Sequence, residues 1–158
     1  MAQGKTNAMR LLDAAKMEYS SLAYDSKDGK IDGVSVAGKI GRDPEQVYKT
    51  LVAQAGKNVY VFIIPVGAEL DLKKAAKAAG EKKVEMVPVK DIQKLTGYIR
   101  GGCSPVGMKK LYPTFIDSQG EQLESIIVSG GKIGLQIELA PKGLKELIRA
   151  EWKDLVKE

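Results

Sequence analysis

The stretch NVYVFIIPV, Asn58 to Val66, constrains the fold most strongly. β-Branched and aromatic side chains crowd into it, and these favour a pleated strand packed against neighbours over a helix. No apolar run in the chain approaches the ~20 residues that a membrane span needs, so this one reads as a buried strand requiring partners elsewhere.

Candidate partners recur along the chain. SSLAY (Ser20 to Tyr24) and YPTFID have strand composition, and KVEMVPV reads as extended. LESIIVS, GGK and IGLQIELA together predict a β-hairpin with glycines in the turn. Between these lie helical patterns. Met9, Leu11, Leu12 and Ala15 fit one side of a helix over Asn7 to Met17, and ELDLKKAAKAAG predicts a helix from near Asp71 to Gly80. Another spans about Lys90 to Leu95 and ends at Gly97. DSKDGKIDGVSVAGKIG is rich in Gly and Asp and reads as loop with one short helix.

DPEQ, from Asp43, combines an N-cap acid, proline at the first helical position and glutamine at the third. The β-rich VYKTLVAQ follows directly, so this helix is expected to be short, with Lys49 and Thr50 at a helix-to-strand junction. At the C-terminus Leu144, Leu147, Ile148, Trp152, Leu155 and Val156 form an apolar stripe at helical spacing, which predicts one last helix. Strands and helices without strict alternation argue against a doubly wound fold. The expectation is α+β: a mixed, curved, barrel-like sheet of five or six strands with surrounding helices, in one domain over residues 1–158.

Composition removes whole classes of chemistry. The chain has no histidine and one cysteine, which excludes Ser-His-Asp and Cys-His catalysis, an internal disulfide and a zinc site, and no motif points to any other cofactor. Lysine, carboxylate, hydroxyl, backbone amide or the substrate itself must then do any chemistry. A net charge of +5 makes a polyanionic partner plausible. The N-terminal MAQGKTNAMRLLDAAKMEY interrupts its apolar residues with Arg10, Asp13, Lys16 and Glu18, unlike a secretory signal, so a cytoplasmic location is expected.

The densest motif is TGYIRGGCSPVGMKK, Thr96 to Lys110. Gly102 to Gly107 has the glycine spacing of a phosphate-binding loop, but Met108 stands where lysine is needed and Pro105 lacks an amide hydrogen. Cys103 has no histidine to activate it and reads as a packed residue. Two readings of the backbone stay open: glycines that let another molecule approach amides aimed one way, as in an oxyanion hole, or a tight turn that needs positive φ.

In order and spacing, DPEQVYKTLV, DLKKAAKAAGEKKVEM, TGYIRGGCSPVGMKK and VSGGKIGLQIEL resemble the YbaK/EbsC family of aminoacyl-tRNA deacylases, relatives of the editing domain of bacterial prolyl-tRNA synthetases. The resemblance covers about residues 7 to 156 and is strongest to the branch that clears cysteine from proline tRNA. It implies an essential lysine at Lys49 with Thr50 beside it, and a GGxSP loop at Gly101, Gly102, Ser104 and Pro105 whose amides hold the aminoacyl ester. It further implies pocket positions at Tyr24, Ser129 and Gln136. The implied substrate is the 3′ acceptor end of an aminoacyl-tRNA, the implied partner is prolyl-tRNA synthetase, and no cofactor, metal or membrane is involved. The implied nucleophile is the substrate's own thiol, which closes a small thiolactone. A lysine near its ordinary pKa of ~10.4 would act as a cation that positions and stabilises charge. Gln136 departs from the branch, which carries aspartate there, and glutamine cannot act as a base. The competing expectation is a binding module of the same fold without turnover.

Overall fold

The computed structural model describes residues 5–158; the first residues of the N-terminal stretch just discussed, 1–4, lie outside the described residues. The chain forms β1 (Ser20–Ala23), β2 (Tyr48–Ala55), β3 (Asn58–Pro65), β4 (Glu85–Met86), β5 (Thr114–Asp117), β6 (Ile126–Ser129), β7 (Leu135–Leu139) and β8 (Glu151–Lys153). The helices are α1 (Asn7–Ala14), α2 (Gly33–Lys39), α3 (Leu72–Ala79), α4 (Val89–Thr96) and α5 (Pro141–Leu147).

The strands divide between an antiparallel sheet ordered β1-β7-β6 and a mixed sheet ordered β4-β2-β3-β5-β8. The fold is α+β, as expected, but the single barrel-like sheet is not found: neither sheet closes on itself. They meet at a parallel bridge between Val47 and Ile127. The predicted buried strand is β3, central in the mixed sheet, where Phe62, Ile63 and Ile64 are fully buried. Its alternating faces feed two cores. Val61 and Ile63 join Tyr48, Ile116, Ile126, Val128 and Ile137, whereas Tyr60, Phe62 and Ile64 join Ala75 and Ala76 of α3 and Leu155. Phe62 stacks on Phe115 with ring centroids 5.5 Å apart.

Helix ends follow their capping chemistry. The Asp71 carboxylate accepts from the amides of Lys73 and Lys74 to start α3, and Gly80 ends it at φ 72°. Thr6 caps α1, which stops at Ala14, short of the expected Met17, and Lys16 follows in the left-handed region at φ 58°.

Two expected helices are corrected. DPEQ forms a turn, in which the Gln46 amide donates to the Asp43 carbonyl at 2.8 Å and the Glu45 amide to the Asp43 side chain at 2.9 Å. Aspartate first and proline second suit a β-turn as well as a helix start. The chain must already be extended at Val47 to bridge Ile127, so Lys49 and Thr50 lie inside β2 rather than at a junction. The C-terminal stripe is likewise not one helix. α5 ends after Leu147, Arg149 turns the chain at φ 54°, and β8 pairs in parallel with β5, Trp152 opposite Ile116. Leu144 and Ile148 enter the first core and Leu155 the second, where the Leu155 amide donates to the Asp117 carboxylate at 3.0 Å. Burial in two separate places imitates a single helical face.

Candidate functional site

A cavity of about 680 Å³ opens where the start of β2, the 29–36 segment, the 100–103 loop and the β6–β7 hairpin converge. Lys49, Thr50, Gly101, Ser129 and Gln136 line it together. Tyr24, Gly102, Ser104 and Pro105 do not.

Lys49 sits opposite Ile64 on β3 and is half-buried. Among the described residues its ammonium has no hydrogen bond or ion pair. Burial pulls its ammonium below the usual lysine pKa, opposed by the charge of Glu69. Beside it, Thr50 Oγ1 is buried without a partner. Register places Ser129 directly across from Gln136, which also pairs with Leu22 of β1. Gln136 is only 6% exposed, and its amide makes no hydrogen bond among the described residues. Buried polar groups normally find partners, so the unpaired Thr50 hydroxyl, with the Gln136 side chain lining the same cavity, suits a polar ligand.

The two adjacent glycines have different jobs. Gly101, at φ 88°, lines the cavity, and its amide meets no acceptor among the described residues. Gly102 donates its amide to the Ile99 carbonyl at 3.0 Å, and a Cβ on it would lie 2.8 Å from both Ile133 N and Lys132 Cα. Its missing side chain lets the hairpin loop of this same chain approach, rather than a ligand. Ser104 is fully buried, and its hydroxyl accepts from the Val106 amide at 3.2 Å, which stiffens the 104–106 turn that follows Cys103. Pro105 is buried beside it. Tyr24 follows β1, its amide donating to the Gly134 carbonyl at 3.0 Å, and its buried phenol oxygen has no partner. The Lys39 ammonium lies 5.9 Å from the centre of its ring.

Cys103 also lines the cavity, but burial pushes its thiol up to about 11, so it is protonated at neutral pH. Among the described residues Asp32 is the one carboxylate on the wall, and its oxygens accept from the Ser35 amide and hydroxyl at 3.1 and 2.7 Å. Glu138, two residues along β7 from Gln136, is held by Arg42 at 2.8 and 2.9 Å and by Ser125 at 2.6 Å, so it does not take the place of the missing aspartate. Sequence reasoning missed Arg100 and the wall formed by Ile31, Asp32 and Val34. The signal for that wall was the IDG preceding α2, where Asp32 is an N-cap.

A shallower depression of about 790 Å³ lies over β1 and β7, lined among others by Asp13, Glu18, Glu124 and Glu138. Four carboxylates make it a poor seat for a polyanion. Among the described residues no cluster of His, Cys, Asp and Glu could hold a metal ion, and no helix is long and apolar enough to cross a membrane.

Among the described residues the cavity brings together one lysine without an ion pair, the free amide of Gly101 and neutral polar side chains, an arrangement that can hold a polar ligand and stabilise negative charge on it. The aminoacyl-tRNA editing domain family matches residues 33–147, more than half the chain. The chain is 45% identical over 154 residues to EbsC of Enterococcus faecalis, named as a candidate Cys-tRNA(Pro)/Cys-tRNA(Cys) deacylase, covering 97% of this chain and 94% of that protein. It belongs to the YbaK/EbsC aminoacyl-tRNA editing family. Two solved structures share the fold. One is described as a candidate trans-editing enzyme for prolyl tRNA synthetase (TM-score 0.82, 23% identity, covering 99% of this chain and 100% of that one). The other is hypothetical protein APE2540 (TM-score 0.85, 21% identity, covering 96% and 99%).

Proposed function

We propose that this protein is a trans-editing aminoacyl-tRNA deacylase that clears cysteine from mischarged proline tRNA, acting as one domain over residues 1–158, in the cytoplasm, and alongside prolyl-tRNA synthetase. The observation that carries this reading is Lys49, a half-buried lysine with no ion pair among the described residues, in the same cavity as the Gly101 amide and the unpaired Thr50 and Gln136 side chains.

The chain supplies no activated nucleophile, since it has no histidine and its one thiol is held protonated. The substrate's own cysteine supplies one. Its sulfur attacks the ester carbonyl carbon, the C–S bond closes a four-membered thiolactone, and the bond to the terminal ribose oxygen breaks. The thiol proton ends on that oxygen, so free tRNA leaves and no oxidant or water is consumed. Holding sulfur and carbonyl in register supplies the proximity effect. The Gly101 amide and the Lys49 ammonium stabilise the negative charge that develops on the ester oxygens. An ammonium of lowered pKa is also a stronger acid, suited to protonating the departing ribose oxygen. Gly102, Ser104 and Pro105 shape the loop, and Tyr24 supports the strand end; Ser129 and Gln136 orient the amino acid by neutral hydrogen bonds.

The test is deacylation of proline tRNA charged with cysteine, serine, alanine or proline, at matched salt. Rapid loss of cysteine with slow loss of serine, whose hydroxyl is a far weaker nucleophile, is expected. Equal rates for cysteine, serine and alanine would replace the substrate thiol with water. Binding of tRNA without loss of any ester would leave a non-catalytic module.

A further inference from the structure

The chain's positive charge is not spread evenly. Between Val89 and Tyr112 stand Lys90, Lys94, Arg100, Lys109 and Lys110 against the single carboxylate of Asp91, a surplus of four out of the whole chain's five. The remaining residues sum to about +1, although the 72–83 stretch also carries five lysines against one glutamate. All five cations are exposed, and none forms an ion pair among the described residues.

These residues form one face. The Lys109 amide donates to the Thr96 carbonyl at 3.0 Å, the Lys109 ammonium to the Lys94 carbonyl at 3.2 Å, and the Tyr112 hydroxyl to the Leu95 carbonyl at 2.6 Å. The 107–112 segment is thereby fastened along α4. α4 ends at Gly97, and the chain runs through Ile99 and Arg100 to Gly101, with Arg100 and Gly101 on the cavity wall. Val89, Ile99 and Leu111 stand among the cations, 54%, 47% and 60% exposed. Apolar side chains between cations offer contact to sugar and base faces where lysines meet phosphates.

We infer that the face built from α4 and the 107–112 segment is the track for the acceptor stem of the tRNA, with Arg100 marking where the strand turns into the cavity. This deepens the function proposed above and rests on the same cavity receiving the 3′ end. Charge complementarity selects the occupant: a duplex with a phosphate at every nucleotide of each strand meets several unpaired cations here. The other lysine-rich stretch, Lys73, Lys74, Lys77, Lys82 and Lys83, contributes no residue to the cavity wall: Lys74 is paired with Asp154, and Lys82 and Lys83 precede β4, which pairs with Ala53 and Gln54 at the end of β2 away from Lys49.

The experiment compares wild type, Lys90→Ala/Lys94→Ala/Lys110→Ala and Lys82→Ala/Lys83→Ala in binding uncharged proline tRNA across a salt series. It also follows deacylation of two esters, full-length cysteinyl-tRNA and a cysteinyl-CCA trinucleotide. The triple variant should bind tRNA about tenfold or more weakly, and its slope of log K against log salt should shrink by about 2–3, three phosphate contacts being lost. It should deacylate the trinucleotide ester as wild type does, and replacing the same three lysines by arginine should restore binding. An unchanged salt slope, or equal loss in the Lys82/Lys83 variant, would overturn the inference. Equal loss of activity on tRNA and trinucleotide would also overturn it. Wild type that binds tRNA but cleaves neither ester would instead sink the deacylase reading, with the binding arm still judging the track.

Discussion

Gly102→Ala tests whether the site depends on contact between the 99–103 loop and the hairpin that carries Ser129 and Gln136. An added Cβ would stand 2.8 Å from Ile133 N and Lys132 Cα and 2.9 Å from Lys132 C, where ordinary contact begins at 3.4 Å. These are backbone atoms, which cannot swing away as a side-chain tip would, so one loop must retreat by roughly 0.6 Å or more. Overpacking of this kind costs about 1–3 kcal/mol. In a chain of this size that lowers Tm by about 3–10 °C. Because the retreat separates Gly101 from Gln136, kcat/KM for cysteinyl-tRNA should fall about ten- to a hundredfold. The control is Gly38→Ala in α2, where a Cβ meets nothing within 4 Å and alanine improves helix propensity; it should keep activity and gain up to about 1 kcal/mol. Thermal unfolding and single-turnover deacylation read both variants. A Gly102→Ala protein as stable and active as Gly38→Ala would refute the close-approach argument.

Three further outcomes follow from the geometry. Tyr48→Phe removes a buried hydroxyl that has no partner, so urea unfolding should give a stability unchanged or higher by about 1 kcal/mol, and a loss larger than that would mean the hydroxyl is satisfied. Cys103→Ala should keep deacylation within about threefold, because a thiol at about 11 is not the nucleophile; its loss in a folded variant would restore a catalytic thiol. Burial lowers the Lys49 pKa in the folded protein, so between that lowered value and 10.5 the unfolded chain binds more protons and stability rises with pH. Unfolding measured from pH 8 to 10.5 should show that rise flattened in Lys49→Met, and an identical pH dependence would remove the burial argument.

The sequence made the individual elements of the mixed sheet legible where one environment surrounds each residue run. NVYVFIIPV is β3, and the ELDLKK stretch is α3 between the Asp71 cap and Gly80. It misled where one pattern serves two environments: Leu144 and Leu155 share a helical spacing but lie in different cores, with Arg149 turning the chain between them. DPEQ failed similarly, since its residues suit a turn as well as a helix and only the Val47–Ile127 bridge decides. At the site, family motifs led to Lys49, Gly101, Ser129 and Gln136, which the fold brings to one cavity. That Gly102 faces its own hairpin instead of a ligand depends on two loops thirty residues apart, and no local spacing records it. The lowered pKa of Lys49 is equally invisible in sequence, because burial is set by strands and loops remote along the chain.

The most direct test of the central claim is single-turnover deacylation of cysteinyl-tRNA(Pro) by wild type and Lys49→Ala, with the mutant's fold checked by circular dichroism. On the proposed mechanism, removing the Lys49 charge should slow the reaction about a hundredfold or more while tRNA binding stays nearly intact. A folded Lys49→Ala protein that cleaves the ester at the wild-type rate would contradict the claim that Lys49 stabilises the transition state.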